Sequence, residues 1–370
     1  MKKSIILLLL LLLLVACAGG GTETAEPTAT PVPEPESEAE TETAEPRTIT
    51  LMSHDSFAIS EEIITAFEEA NNAKVVLLPS GDTGSALNQA ILAKDNPLAD
   101  VFFGVDNTFM SRALEADIFE PYESAMLADI PDELELDSSH RLLPVDYGDV
   151  CLNYDKAWFA EKGLEPPKSL ADLTDPAYKG LLVAENPATS SPGLAFMLAT
   201  VGVFGTEGDY TFLDFWADLR ENDVLITNGW EEAYYGYFTV ASDGDRPLVV
   251  SYASSPPAEF IFADPPVEES PSASVTEPGT CFRQIEFVGI LKGTKNRDLA
   301  EKLVDYMLSL PFQEDIPLNM FVFPANQNAA LPEAFVTWAQ VPEEPAVVSP
   351  ADIEANREAW IEAWTETVLR

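Results

Sequence analysis

Between Thr48 and Asn107 the chain alternates short apolar runs with helix-period segments, and that alternation restricts the fold more than any other feature. Thr48–Met52 alternates as a strand, Ser60–Asn71 places Ile63, Ile64 and Phe67 on one helical face, and Lys74–Leu78 is a second strand. A loop of small residues, Ser80-Gly81-Asp82-Thr83-Gly84-Ser85, leads into a helix over Ala86–Ala93. Asp100–Gly104 is then a third, buried strand ending at Val105-Asp106-Asn107. A β-α-β-α-β order requires crossover connections, and hence an α/β fold with a mostly parallel sheet flanked by helices. Ligands of such sheets bind beyond the carboxyl ends of the strands, where the polar loops at 53–56, 80–85 and 106–108 fall.

The same vocabulary continues to the C-terminus. Strands are expected at Val150–Tyr154, Gly180–Ala184 and Leu248–Tyr252, and the loop Asn186–Gly193 precedes a helix over Leu194–Val201. Small residues at that helix start expose N–H groups and hydroxyls to an anion, although on their own ordinary capping by Ser190 or Ser191, with Pro192 in the first turn, is the more common reason for them. Val267–Pro278, acidic and rich in Pro and Ser, reads as an exposed loop. Cys281–Leu291 reads as a strand broken at Gly289, and Asp298–Leu308 and Ile353–Leu369 as amphipathic helices. The expected organisation is a first lobe, 47–148 plus 282–370, and a second lobe, 149–281, with a cleft between them. A chain of 370 residues has room for two such bodies.

Ahead of the folded part, Lys2 and Lys3 precede a purely apolar run, Ile5–Val15, of signal-peptide length. It ends in Leu14-Val15-Ala16-Cys17, the pattern of a bacterial lipoprotein signal, so Cys17 is the expected lipidated residue. That makes 1–17 a signal segment and the protein an exported one, anchored to the outer face of the cytoplasmic membrane. Residues 18–46, built mostly of Gly, Thr, Pro, Ala and Glu with no aromatic residue, read as a disordered tether. Two further cysteines in an exported chain, Cys151 and Cys281, read as one disulfide.

Lys and Arg number 20 against 63 Asp and Glu, a net charge of −43. Such a field repels nucleic acid and anionic membranes and favours a cationic ligand or a basic partner surface. Enzyme chemistry is poorly represented. There are only two His, and His54 beside Asp55 and Ser56 cannot converge as a nucleophilic triad, because adjacent residues point apart. Nucleotide-binding glycine loops, G-x-S-x-G and zinc spacing are missing, so neither enzyme nor cofactor is expected.

The most concentrated chemistry is Thr227–Phe238, T-N-G-W-E-E-A-Y-Y-G-Y-F. Asn228 as N-cap, with Glu231 and Glu232 in the first turn, makes it a helix start carrying Trp230, Tyr234, Tyr235 and Tyr237. Rings at this density stack on flat ligands, yet taken alone they fill cores more often than sites.

A series of short motifs in one order brings a resemblance. They are His54-Asp55-Ser56-Phe57, Ala99-Asp100-Val101 with Gly104-Val105-Asp106-Asn107, Val145-Asp146-Tyr147-Gly148, Thr189-Ser190-Ser191-Pro192-Gly193-Leu194, Gly229-Trp230-Glu231-Glu232-Ala233-Tyr234, Ser251-Tyr252 with Ser255-Pro256, and Arg357-Glu358-Ala359-Trp360. Over nearly all of residues 48–370 the chain resembles the periplasmic thiamine-binding proteins of ATP-driven importers, within the type 2 solute-binding proteins that also include iron(III) binders. The resemblance implies the two-lobed periplasmic-binding-protein fold, thiamine or a thiamine phosphate as ligand, and an ABC permease with its ATPase as partner, the receptor itself acting as a monomer. It implies stacking and cation–π contact from Trp230, Tyr252, Tyr234 and Phe321, polar or charge contact from His54, Asp55 and Asp106, and a hydroxyl or phosphate held by Ser190, Ser191 and Gly193.

Three departures stand out. His54 replaces a family Tyr, Phe321 stands where the family has Trp, and Ala258 falls where some members carry Tyr. Cys151 and Cys281 are not general to the family, and a bridge between them would brace the crossing between lobes. Two other readings accompany this one: an iron(III) receptor using Tyr234 and Tyr235, and a thiamine-degrading enzyme needing a free Cys nucleophile and a carboxylate base.

Overall fold

The first strand, β1 (Arg47–Ser53), buries Ile49, Leu51 and Met52 and pairs in parallel with β2 (Ala73–Pro79) across the helix α1 (Glu61–Asn71). A second crossover, α2 (Thr83–Leu92), returns the chain to β3 (Val101–Asp106), every residue of which is buried and which pairs in parallel with β1. This computed structural model describes residues 45–370, which form one compact unit. The signal segment 1–17 with Cys17, and all but the last two residues of the 18–46 tether, lie outside the described residues.

After α3 (Met110–Glu115) and the short β4 (Phe119–Glu120) comes the long β5 (Leu143–Asp155), followed by α4 (Lys156–Lys162) and β6 (Leu182–Glu185). The helices α5 (Ser191–Phe204) and α6 (Phe212–Glu221), the strand β7 (Leu225–Thr227), the aromatic helix α7 (Trp230–Tyr237) and β8 (Leu248–Tyr252) complete the second half. Then follow α8 (Pro256–Ile261), β9 (Ser272–Val275) and β10 (Phe282–Leu291). The chain ends through α9 (Arg297–Met307), α10 (Leu310–Gln313), α11 (Ile316–Asn319), β11 (Phe323–Pro324), α12 (Glu333–Trp338) and α13 (Pro350–Val368).

The strands lie in the order β2-β1-β3-β10-β5-β8-β6-β7. The two ends are parallel: β2, β1 and β3 in one, β8, β6 and β7 in the other. Between them β10 runs antiparallel to β3 and to β5, and β5 antiparallel to β8. Each lobe thus owns a parallel triplet, and an antiparallel centre joins them. Residues 143–150 of β5 pair with β10, whereas residues 150–154 pair with β8, so this strand passes from one half to the other. Cys151 sits at that passage and is bonded to Cys281, the residue just before β10. A bridge spanning 130 positions restricts the unfolded chain by about 4–5 kcal/mol in the loop-entropy account.

Four local expectations are corrected. The α2 helix begins at Thr83 rather than Ala86, because Asp82 caps it by accepting the Thr83 N–H at 2.7 Å. The loop expected at Val267–Pro278 contains β9, whose backbone adds to β5 over Leu152–Asp155. Gly289 does not break β10: a Cβ there would stand 2.5 Å from the Phe119 ring, so the glycine lets β4 close over a continuous strand. The N-cap of α7 is Gly229 and not Asn228, whose own N–H is taken by Glu232.

Candidate functional site

The amino ends of α2, α5 and α7 converge on one side chain. Asp82 Oδ1 accepts the N–H groups of Thr83 and Ser191 at 2.7 and 3.2 Å, and its Oδ2 accepts the Trp230 N–H at 2.9 Å. The Ser190 hydroxyl also points to it. Helix starts carry unpaired N–H groups and partial positive charge, so one carboxylate here satisfies donors from both halves of the fold. The halves approach closely at this point, since a Cβ on Gly84 would meet the Thr189 carbonyl at 2.9 Å. Burial nonetheless holds the Asp82 carboxyl above its ordinary range, against the pull of the Trp230 and Ser191 N–H groups.

Beside this junction lies a cavity of about 290 Å³, near the lower end of the range for small-molecule sites. One side is the aromatic face of α7. Trp230 stacks on Tyr234 with ring centroids 4.7 Å apart and 23° between planes, and its Nε1 donates to Ser251 Oγ at 2.9 Å. Tyr234 is 2% exposed and its hydroxyl is tied to Glu259, so it backs Trp230 rather than facing solvent. Tyr252 lies over Gly148, where a Cβ would come within 2.8 Å of the ring, and its hydroxyl donates to Gln284 Oε1 at 3.2 Å. At the mouth Phe262 and Phe321 meet edge to face at 5.8 Å, Phe321 holding a left-handed φ of 55°.

The opposite side is acidic. Glu286 of β10 shares a rung with Asp106 of β3 and with Asp146 of β5, which puts three carboxyl groups in a row across adjacent strands. His54 follows β1 with its Nε2 3.3 Å from Glu286 Oε1, and its ring fits only because residue 104 is Gly: a Cβ there would stand 2.4 Å away. Burial pulls the His54 pKa down, but the Glu286 carboxylate outweighs it and the net shift is upward. Asp106 is pushed up to about 7 by burial, with the Glu286 charge adding to it, and Asp146 is raised well above the carboxylate range for the same two reasons.

The expected site residues separate into two shells. His54, Asp55, Ser191, Trp230, Tyr234, Tyr252 and Phe321 line the cavity. Asp106 is fully buried behind it, held by Thr108 and Phe109 N–H groups, while at the α5 start Ser190 accepts the Gly193 N–H and turns its hydroxyl to Asp82. Gly193 also packs against the β6 backbone, where a Cβ would meet the Glu185 carbonyl at 2.6 Å. Asp82, Gln284 and Glu286 also line the cavity and are not among the residues expected from sequence, nor is Tyr235 among the expected thiamine contacts although it is 58% exposed and lines the cavity. The loop Ser80–Ser85 was the one available signal for Asp82. Cys151 offers no free thiol, which removes the nucleophile that the degrading-enzyme reading needs.

A cavity at the junction of two α/β halves, lined by stacked rings and carboxyl groups, defines a solute receptor. The chain belongs to the bacterial extracellular solute-binding protein family, which matches residues 96–342. It is similar to the thiamine-binding periplasmic protein of Salmonella typhimurium (strain LT2), at 31% identity over 87% of this chain and 94% of that protein. The thiamine-binding periplasmic protein of Escherichia coli (strain K12) is 29% identical over the same shares. Among solved structures, a periplasmic thiamin binding protein superposes with a TM-score of 0.77 at 28% identity, covering 88% of this chain and 97% of that one. Iron-bound HitA from Pseudomonas aeruginosa shares the fold, with a TM-score of 0.69 at 21% identity over 87% and 99%.

Proposed function

We propose that this protein is the thiamine receptor of an ABC importer, exported and held at the outer face of the membrane by lipid on Cys17, delivering its ligand as a monomer to a permease driven by an ATPase. One observation carries the choice of ligand: the described cavity lining combines stacked aromatic rings with Asp55, Asp82, Glu231 and Glu286, and includes no Lys or Arg. Thiamine is a pair of flat rings, one a permanent cation, which suits aromatic faces and carboxylates together. The same lining favours thiamine over its diphosphate, since a basic side chain is the usual partner of a phosphate. Ser191 remains the residue best placed for the hydroxyl arm.

Capture closes the two halves about the β5–β10 centre, with the 151–281 disulfide fixing the crossing and Asp82 joining the helix starts on either side. Ligand binding then shifts the open–closed balance by its differential affinity for the closed form. Calorimetry on the protein with thiamine, thiamine monophosphate and thiamine diphosphate tests the reading. Heat with thiamine and less affinity for the diphosphate is expected; no heat with any of the three overturns it.

The iron(III) alternative finds little support. Tyr234 gives its hydroxyl to Glu259, Tyr235 stands at 82° to it, and no cluster of three acidic, His or Cys side chains fit for a metal occurs among the described residues.

A further inference from the structure

The carboxyl row is larger than a counter-charge for one cation requires, and it is poorly satisfied. Asp106 Oδ2 and both oxygens of Asp146 meet no N–H or hydroxyl donor, although the two residues are fully buried, and the hydrogen-bonding neighbour of Asp146 is the Glu286 carboxyl itself. Glu286 lies between them, 6% exposed, and is the member that reaches the cavity. Three carboxylates on one rung, with centres spaced as cross-strand neighbours, cannot all be ionised in a dry interior. The row therefore holds protons, and His54 supplies the positive charge nearest to it.

We propose that the Asp106–Glu286–Asp146 row with His54 is a proton-exchanging counter-ion, and that Glu286 is the residue by which the cleft selects a cationic ring over a neutral one. The inference rests on the thiamine reading for its ligand. Without ligand, a proton on His54 or shared within the row balances Glu286. A cationic ring entering beside Glu286 repels that proton, which leaves to solvent, so the ligand's charge replaces the proton's and the net charge of the cleft is conserved. Other ionisable groups around the row do not reverse the sign. Tyr252 faces Glu286 from β8 and stays neutral, its pKa raised by burial and by the acids. Asp82 and Asp55 face His54 and strengthen its proton, and Glu231 adds a further negative charge at the rim. Arg357 of α13, stacked over Phe109, interacts with Asp106 and does not line the cavity.

Because protons compete with the ligand, affinity rises with pH. Glu286 outweighs burial to set the titration of His54 above its ordinary value, and burial with the Glu286 charge sets Asp106 at about 7, so the window centres on neutral pH. Calorimetry of thiamine binding by the full-length protein, in phosphate and in Tris, counts the protons exchanged through the two buffers' different ionisation heats. Release of about half to one proton near pH 7, with log K climbing by up to about one per pH unit, is expected. Binding without proton release overturns the inference while leaving the thiamine reading in place. Glu286→Gln should lose about tenfold or more in affinity for thiamine and little for an analogue with an uncharged five-membered ring; equal losses also overturn it.

A second arm needs no ligand. The chain has two His, so the ring signals of His54 can be assigned in nuclear magnetic resonance spectra with His140→Gln as control. Its titration should move down in Glu286→Gln, and an unmoved titration in a folded variant rejects the pairing. Failure of thiamine to bind at all, with His54 titrating as expected, rejects the ligand and keeps the counter-ion.

Discussion

The two sides of the cavity are held together by opposite means. The aromatic side is complete in itself. Trp230 and Tyr234 of α7 and its C-cap Phe238 recur every four residues, with centroid spacings of 4.7 and 5.4 Å, and the polar tips of the first two end on Ser251 and Glu259. The acidic side draws Asp106, Asp146 and Glu286 from strands 40 and 140 positions apart, and leaves three carboxyl oxygens without an N–H or hydroxyl donor. Burial and stacking stabilise the first whatever the charge of the ligand. The second is destabilising to the fold until protons or a cation neutralise it. Satisfaction of polar groups thus distinguishes side chains that hold the protein together from side chains that wait for something to bind.

Asp82 is the sharpest test of that distinction, being an acid on the cavity yet fully partnered. Replacing it with Ala strands three backbone N–H groups at helix starts, and should lower stability by about 2–4 kcal/mol. Chemical denaturation reads this directly. A loss below about 1 kcal/mol would mean that water serves these N–H groups as well as the carboxylate does, and the two kinds of acid would no longer differ.

Asp106→Asn should move stability the other way. A carboxyl whose folded pKa of about 7 exceeds its unfolded one near 4 binds a proton more tightly when folded, so its contribution is full at low pH and is lost as pH rises toward 7. Asn keeps an oxygen for the Thr108 and Phe109 N–H groups and never ionises. At pH 8 the variant should be more stable than the parent by about 1–3 kcal/mol, and the two should converge near pH 4. Parallel stability curves across that range would show that Asp106 is ionised and content where it is.

For the aromatic side, Trp230→Ala should weaken thiamine by about 1–2 kcal/mol and, unlike Glu286→Gln, should weaken a neutral-ring analogue by most of that amount, because stacking is lost for both and only the cation–π share is peculiar to the cation. The two variants together separate shape from charge. Selective loss of the cation in Trp230→Ala would assign the charge recognition to the indole face instead of to the row.

How much of this could be read from the chain follows the same division. The local patterns were legible: β1, β2, β3 and β8 fall within a residue or two of where alternation puts them, and the ring cluster of α7 is contiguous in sequence. The bridge of Cys151 to Cys281 followed from export and from there being two thiols to pair. The acidic row was hidden because it depends on register. Nothing local says that β10 inserts antiparallel between β3 and β5 with Glu286 level with both Asp106 and Asp146. With 63 acidic residues in the chain, no single one announces itself. Asp82 was hidden for a related reason: two of its three N–H partners, Ser191 and Trp230, lie more than a hundred positions away.

The smallest expected effect concerns which part of the aromatic wall a ligand meets. Tyr235 is exposed and stands edge-on to Trp230 at 5.5 Å and 81°. Tyr234 lies beneath the indole and is 2% exposed. A solvated ring that offers only its edge adds little to binding, so Tyr235→Ala should change thiamine affinity by about 0.5 kcal/mol or less and stability by no more than that. Side-by-side calorimetry with Trp230→Ala is the measurement. If Tyr235→Ala matched the indole variant, the ligand would be clamped between the Tyr235 ring and the acidic side. Trp230 would then serve, like Tyr234, to support the helix start that Asp82 caps.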